Sequence, residues 1–208
     1  MTTCTSDIFW HSAALGCEAD LLPWLGDRGS LTQRIRQRCS HFAVHNVRSG
    51  LARIALDESA LLGVAPQQLA YSREVFLCAD GQPVVFAHSA CAAEHLRGTW
   101  SALRTLNDQP LGALLFALPQ VRRQPLHYKA LRPAHPLYQQ AAADLTAAPE
   151  RLWARRSLFC LHDAPLLVTE VFLPEILKLG LRSEDRGSSE TWARHFDPQS
   201  SILDPQKP

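Results

Sequence analysis

The stretch VFLCADGQPVVF, residues 75–86, constrains the fold of this chain more than any other. Asp-Gly between two apolar, β-branched runs is a strong signal for a two-residue hairpin, because a type I′ turn needs positive φ at both central residues. A second hairpin is expected in RRSLFCLHDAPLLVTEVFLP, turning between His162 and Pro165. Strands joined this tightly must be antiparallel. Between the hairpins, residues 90–107 read as a helix, as does the short segment that follows Pro110, and the alanine-rich stretch from Pro136 reads as a helix up to Pro149. Strands cluster and helices are grouped between them, so the predicted class is α+β, a single antiparallel sheet with flanking helices.

The remaining segments fit this frame. EADLLPWLGDRGSLTQRIRQRC reads as two helical pieces broken between Gly26 and Gly29, with Ser30 placed to cap the second. Residues 41–56 suggest two strands around Ser49-Gly50, and VRRQPLHYKAL suggests an edge strand interrupted by Pro125. Residues 1–178 form the expected domain, and the polar, proline-containing residues 179–208 are expected to be a disordered tail.

Composition excludes several classes. A chain of 208 residues with 46% hydrophobic content supports one domain with a real core. A net charge of +1 lacks the basic excess of a nucleic-acid binder, while leaving room for a small anion held by local charge. The first residues have no basic and apolar signal-peptide pattern, and no apolar run reaches the roughly 18 residues of a membrane span, so a cytoplasmic protein is expected. Six scattered cysteines without a CxxC pair fit reduced thiols. His41 and His45 lack the glutamate of HExxH, so no metal site is expected of them, and the GxSxG, Walker A and GxGxxG patterns are absent.

If Asp80 and Gly81 are the only turn residues, cross-strand partners have numbers summing to 161 and Arg73 faces His88, on one face with Val75 and Leu77. That cationic pair either reaches water at a sheet margin or forms an anion site in an apolar pocket, for which the arginine fork suits a carboxylate. Glu170 shares a strand face with Leu166, Val168 and Phe172. It is either an edge glutamate in solvent or a buried one with a partner or a raised pKa. Arg122-Arg123 and Arg155-Arg156 read as solvated charge on strands.

Four segments, WLGDRGSLTQRI, SREVFLCADGQPVVFA, PLGALLFA and LWARRSLFCLHDAPLLVTEVFLP, resemble the chorismate pyruvate-lyase (4-hydroxybenzoate synthase) family in order and spacing across residues 24–174. The resemblance implies a single sheet enclosing a ligand cavity, a fold shared with effector-binding domains of some transcription regulators. It implies cofactor-independent cleavage of chorismate to 4-hydroxybenzoate and pyruvate, the first committed step of ubiquinone synthesis, by a monomer whose partners are that substrate and product. Carried over by motif, ligand contacts fall on Arg73 and Glu170 and on the backbone of Leu31 and Leu111. Both leucines follow residues suited to begin a helix, where free amides favour an anion. Glu170 is expected to meet the ring hydroxyl and either orient it or assist proton transfer, and Arg73 with His88 to stabilise the carboxylates and the leaving oxygen. The family usually has a second arginine where this chain has His88. With Arg73 as its neighbour that imidazole would charge less easily, predicting activity that falls more steeply above neutral pH. The competing expectations are a non-catalytic aromatic-acid sensor domain and, resting on the arginine pairs, a nucleic-acid binder.

Overall fold

Asp80 and Gly81 take φ of 49° and 82°, and His162 and Asp163 take 47° and 62°, so both hairpins close through two-residue turns of the I′ kind. These values come from a computed structural model that describes residues 10–66 and 68–180, with Asn46 and Val47 described as backbone only. The first hairpin joins β2 (Ala70–Ala79) to β3 (Gln82–Ala92), and the second joins β6 (Leu152–Leu161) to β7 (Ala164–Phe172). With β1 (Phe42–Ala52), β4 (Arg122–Arg123) and β5 (His127–Leu131) they form one seven-stranded sheet in the order β1-β2-β3-β7-β6-β4, with β5 also on β6. Every pairing is antiparallel, as expected for this class.

The sheet is covered on both faces, so its central strands are buried almost without interruption, their polar residues included. On the inner face lie α1 (Leu22–Gly26), α2 (Leu31–Arg36) and α4 (Leu111–Ala117). Trp24, Leu25, Leu31 and Ile35 pack there with Val75, Leu77 and Phe172, and Leu111 and Leu115 with Phe159 and Leu166. On the outer face lie α3 (Leu56–Leu62) and α5 (Pro136–Ala142). Leu62 packs there on Ala90 and Leu167, and Tyr138 packs in a cluster with Phe86 and Val171.

The helix pair at the start is as expected, and Ser30 Oγ accepts the Gln33 N–H at 3.3 Å. So is the edge location of the strand that Pro125 divides into β4 and β5. Three local expectations are corrected. Residues 41–56 are one long strand followed by a helix start, because pairing with β2 carries through Gly50 to Ala52 and a bulge between Asn46 and Arg48 absorbs the irregularity. Residues 90–92 extend β3, where Ala92 pairs with Ala70, and only short 3₁₀ turns follow at Ala93–Arg97 and Ser101–Thr105. The alanine-rich helix ends at Ala142, and the chain folds back so that the Tyr138 hydroxyl donates to the Pro149 carbonyl. Helix α3 was not anticipated. The expected tail, from residue 181 onward, lies outside the described residues.

Candidate functional site

A cavity lies between the inner face of the sheet and the N-terminal ends of α2 and α4. Leu31 and Leu111 both border it and are the first residues of their helices, so their N–H groups precede the first intrahelical bond. The two helix starts approach closely through Gly112, where a Cβ would meet Ser30 Oγ at 3.3 Å and Thr32 Oγ1 at 3.4 Å. Strand β2 contributes Arg73, Val75 and Leu77, and β7 contributes Val168 and Glu170. All four positions carried over from the family resemblance, Leu31, Arg73, Leu111 and Glu170, therefore border one cavity.

Arg73 is 3% exposed. Its Nη2 donates to the carbonyls of Asn107 at 2.7 Å and Gln109 at 2.9 Å, which fixes the guanidinium against the segment before α4. Its buried Nε has no acceptor among the described residues. Burial pulls its pKa below the usual arginine range, and Tyr71 and Asp108 oppose that pull.

Glu170 does have a partner. Arg155, directly across on β6, donates from Nε to Glu170 Oε2 at 2.6 Å. Arg155 is fully buried, and its Nη1 also donates to the carbonyls of Trp24, Leu25 and Asp27, at 3.0, 3.1 and 2.6 Å. One guanidinium thus ties the carboxylate to the C-terminal end of α1. Arg123 borders the same cavity from β4, with its guanidinium carbon 5.3 Å from the Phe159 ring centroid and its Nη1 donating to the Arg28 carbonyl at 2.7 Å. Burial pulls its pKa down, and the like charge of Arg155 adds to this.

The expectation of solvated charge at the arginine pairs holds for Arg122, which is exposed, and is corrected for Arg123, Arg155 and Arg156. Arg155 and Arg156 are both buried, on opposite faces of β6, and Arg156 donates to Asp57 at 2.8 Å on the outer face. The nucleic-acid reading, which rested on these pairs, loses its support. The partner of Glu170 was legible: a two-residue turn at His162-Asp163 makes cross-strand numbers sum to 325, and 155 and 170 do so.

The placement of His88 is also corrected. The turn is as predicted, but the register slips by one between Leu77 and Cys78, and Arg73 pairs with Ser89 while His88 pairs with Glu74. The slip begins at Pro83, which has no N–H to continue the ladder, and Val84 is the extra residue. One residue of slip moves a side chain to the other face. His88 is therefore buried beneath α3, with Nε2 3.3 Å from Glu58 Oε1 and Nδ1 3.4 Å from Glu74 Oε1. Burial alone would push the imidazole down, but the two carboxylates push it up to about 9. Burial also raises the two carboxyls, yet His88, with Arg48 beside Glu74, holds both below the usual range. The steeper loss of activity above neutral pH, argued from Arg73 as the neighbour of His88, loses its basis.

Known proteins bear on this geometry in two ways. The family model described as chorismate lyase matches residues 6–179. A protein of Nitrosomonas europaea named probable chorismate pyruvate-lyase is 48% identical over 170 residues, spanning 82% of this chain and 96% of the relative. One of Aromatoleum aromaticum with the same name is 51% identical over 165 residues, covering 77% and 88%. Among solved structures, the effector domain of PhnF from Mycobacterium smegmatis superposes with a TM-score of 0.51 at 17% identity, over 71% of this chain and 90% of that one. At that identity the likeness speaks for the fold alone. No helix among the described residues is long and apolar enough to cross a membrane.

Proposed function

The chain belongs to the chorismate lyase family, and from that premise we propose that it cleaves chorismate to 4-hydroxybenzoate and pyruvate without a cofactor, as a cytoplasmic monomer supplying ubiquinone synthesis. The observation that carries the reading is the meeting, in one largely apolar cavity, of Arg73, Glu170 and the leading residues of α2 and α4.

In this reading Arg73 and the amides of Leu31 and Leu111 hold the ring carboxylate, and the carboxylate of Glu170 accepts from the ring hydroxyl at the other end. A carboxylate gains from the planar guanidinium and from undonated amides together. The reaction removes the hydrogen on the hydroxyl-bearing ring carbon while the neighbouring carbon–oxygen bond breaks, and the electron pair leaves with the enolpyruvyl oxygen. The ring becomes aromatic, so the chemistry runs downhill. What remains for the protein is to orient the substrate, exclude water and stabilise negative charge on the leaving oxygen. Glu170, anchored by Arg155, is a fixed acceptor rather than a mobile one. His88 is assigned no contact with the ligand, because it lies on the far face of the sheet.

The test is to incubate the purified chain with chorismate and follow both products. Equal amounts of 4-hydroxybenzoate and pyruvate, lost in Arg73→Ala, are expected. Tight binding of 4-hydroxybenzoate without turnover would replace the lyase with an aromatic-acid receptor.

A further inference from the structure

Among the residues bordering the cavity, Arg73 and Arg123 are cationic, and the one carboxylate, Glu170, is already paired with Arg155. Asp27 is ion-paired with Arg34 at 3.1 Å, and Asp108 is exposed to solvent. The cavity therefore carries a surplus of two positive charges. The buried Nε atoms of Arg73 and Arg123 and the Nη2 of Arg155 have no acceptor among the described residues. Unmatched buried donors are costly unless a ligand supplies the acceptor.

A product with one carboxylate neutralises only Arg73. Chorismate carries a second carboxylate, on the enolpyruvyl group, and its expected partner, His88, faces away. Position selects the replacement. The enolpyruvyl oxygen leaves from the ring carbon next to the hydroxyl-bearing one, so with the hydroxyl at Glu170 on β7 the enolpyruvyl group extends away from Arg73. In that direction lie β6 and then β4, which carries Arg123. Arg73 and Arg123 stand four strand intervals apart, roughly 19 Å between backbones, and both side chains reach the same cavity. Phe159 beneath Arg123 and its bond to the Arg28 carbonyl hold the guanidinium there.

We propose that Arg123 binds the enolpyruvyl carboxylate of chorismate, and so distinguishes the dianionic substrate from the monoanionic product. This rests on the lyase reading. It gives Arg123 a role that ends when the carbon–oxygen bond breaks: pyruvate keeps the contact and 4-hydroxybenzoate loses it.

The test compares wild type, Arg123→Gln and Arg123→Lys for chorismate binding and turnover and for the Kd of 4-hydroxybenzoate. Glutamine retains a donor for the Arg28 carbonyl and removes the charge. Arg123→Gln is expected to weaken chorismate at least tenfold while leaving 4-hydroxybenzoate within twofold. Arg123→Lys, which keeps the charge but not the fork, is expected to weaken chorismate severalfold with the same selectivity, and it serves alone if the glutamine variant does not fold. Equal losses for both ligands would overturn the proposal, reducing Arg123 to a support for the Arg28 turn, and so would no change in either. Wild type that binds chorismate but does not cleave it would refute the lyase reading, and the selectivity of Arg123→Gln for the dianion would still be read from binding.

Discussion

The two faces of the sheet carry ionic layers built from neighbouring residues. Arg73 and Glu74, His88 and Ser89, Thr169 and Glu170, Arg155 and Arg156 each send one member inward and the other outward. The outer layer is balanced. Asp57, Glu58 and Glu74 face Arg156, His88 and Arg48, with Gln140 donating to Glu74 and the Trp10 indole donating to Asp57. The inner layer is not balanced, because three arginines share one carboxylate. A charge-balanced buried layer needs no further ion and holds α3 and α5 to the sheet. An unbalanced one is incomplete without an anion, and that difference separates scaffold from site.

The comparison is broken most severely by Arg155→Ala, which strips Glu170 of its partner and three carbonyls of their donor. Loss of one member of a buried pair costs about 3–5 kcal/mol, to be read as a lowered urea midpoint. Arg73→Ala is expected to cost about 3 kcal/mol of product affinity, since hydrogen bonds to charged groups are individually worth about 1.5–3 kcal/mol. Titration of 4-hydroxybenzoate measures it, and unchanged affinity would place the carboxylate elsewhere.

The outer layer sharpens the contrast through pH. The His88 pKa is raised in the folded state to about 9, so its contribution is fully present below the unfolded value, near 6.5, and is lost as pH rises through 9. Glu58 and Glu74 are depressed, so theirs is lost as pH falls below the unfolded value. Stability should decline between pH 6.5 and 9 by about 2–3 kcal/mol at most, and His88→Gln should flatten that decline in thermal melts. Smallest is Gly112→Ala. Its Cβ would press on Ser30 Oγ and disturb the α2 cap, costing about 1 kcal/mol of stability and raising KM a few-fold.

The chain made much of this legible. Asp80-Gly81 and the Leu161–Ala164 turn identify both hairpins, and in the second the register runs true from the turn to Glu170, so Arg155 could have been found by arithmetic. In the first, the same arithmetic already fails at Leu77, where the bulge that starts at Pro83 introduces an extra residue, and Arg73 and His88 part to opposite faces. The proline was visible, but the bulge it starts is a property of the ladder, not of either strand alone. Arginine doublets read as solvated because buried arginines are rare. Here long-range partners, carbonyls some 130 residues away for Arg155, hold them in place, and no local pattern reports such partners.

The most direct test of the account is chorismate turnover by Arg73→Ala and His88→Gln at pH 6.5, each first shown to be folded at the assay temperature. Arg73→Ala is expected to lose turnover and His88→Gln to keep it. Loss in folded His88→Gln with turnover retained in Arg73→Ala would contradict this, making the outer layer the site and the cavity the scaffold.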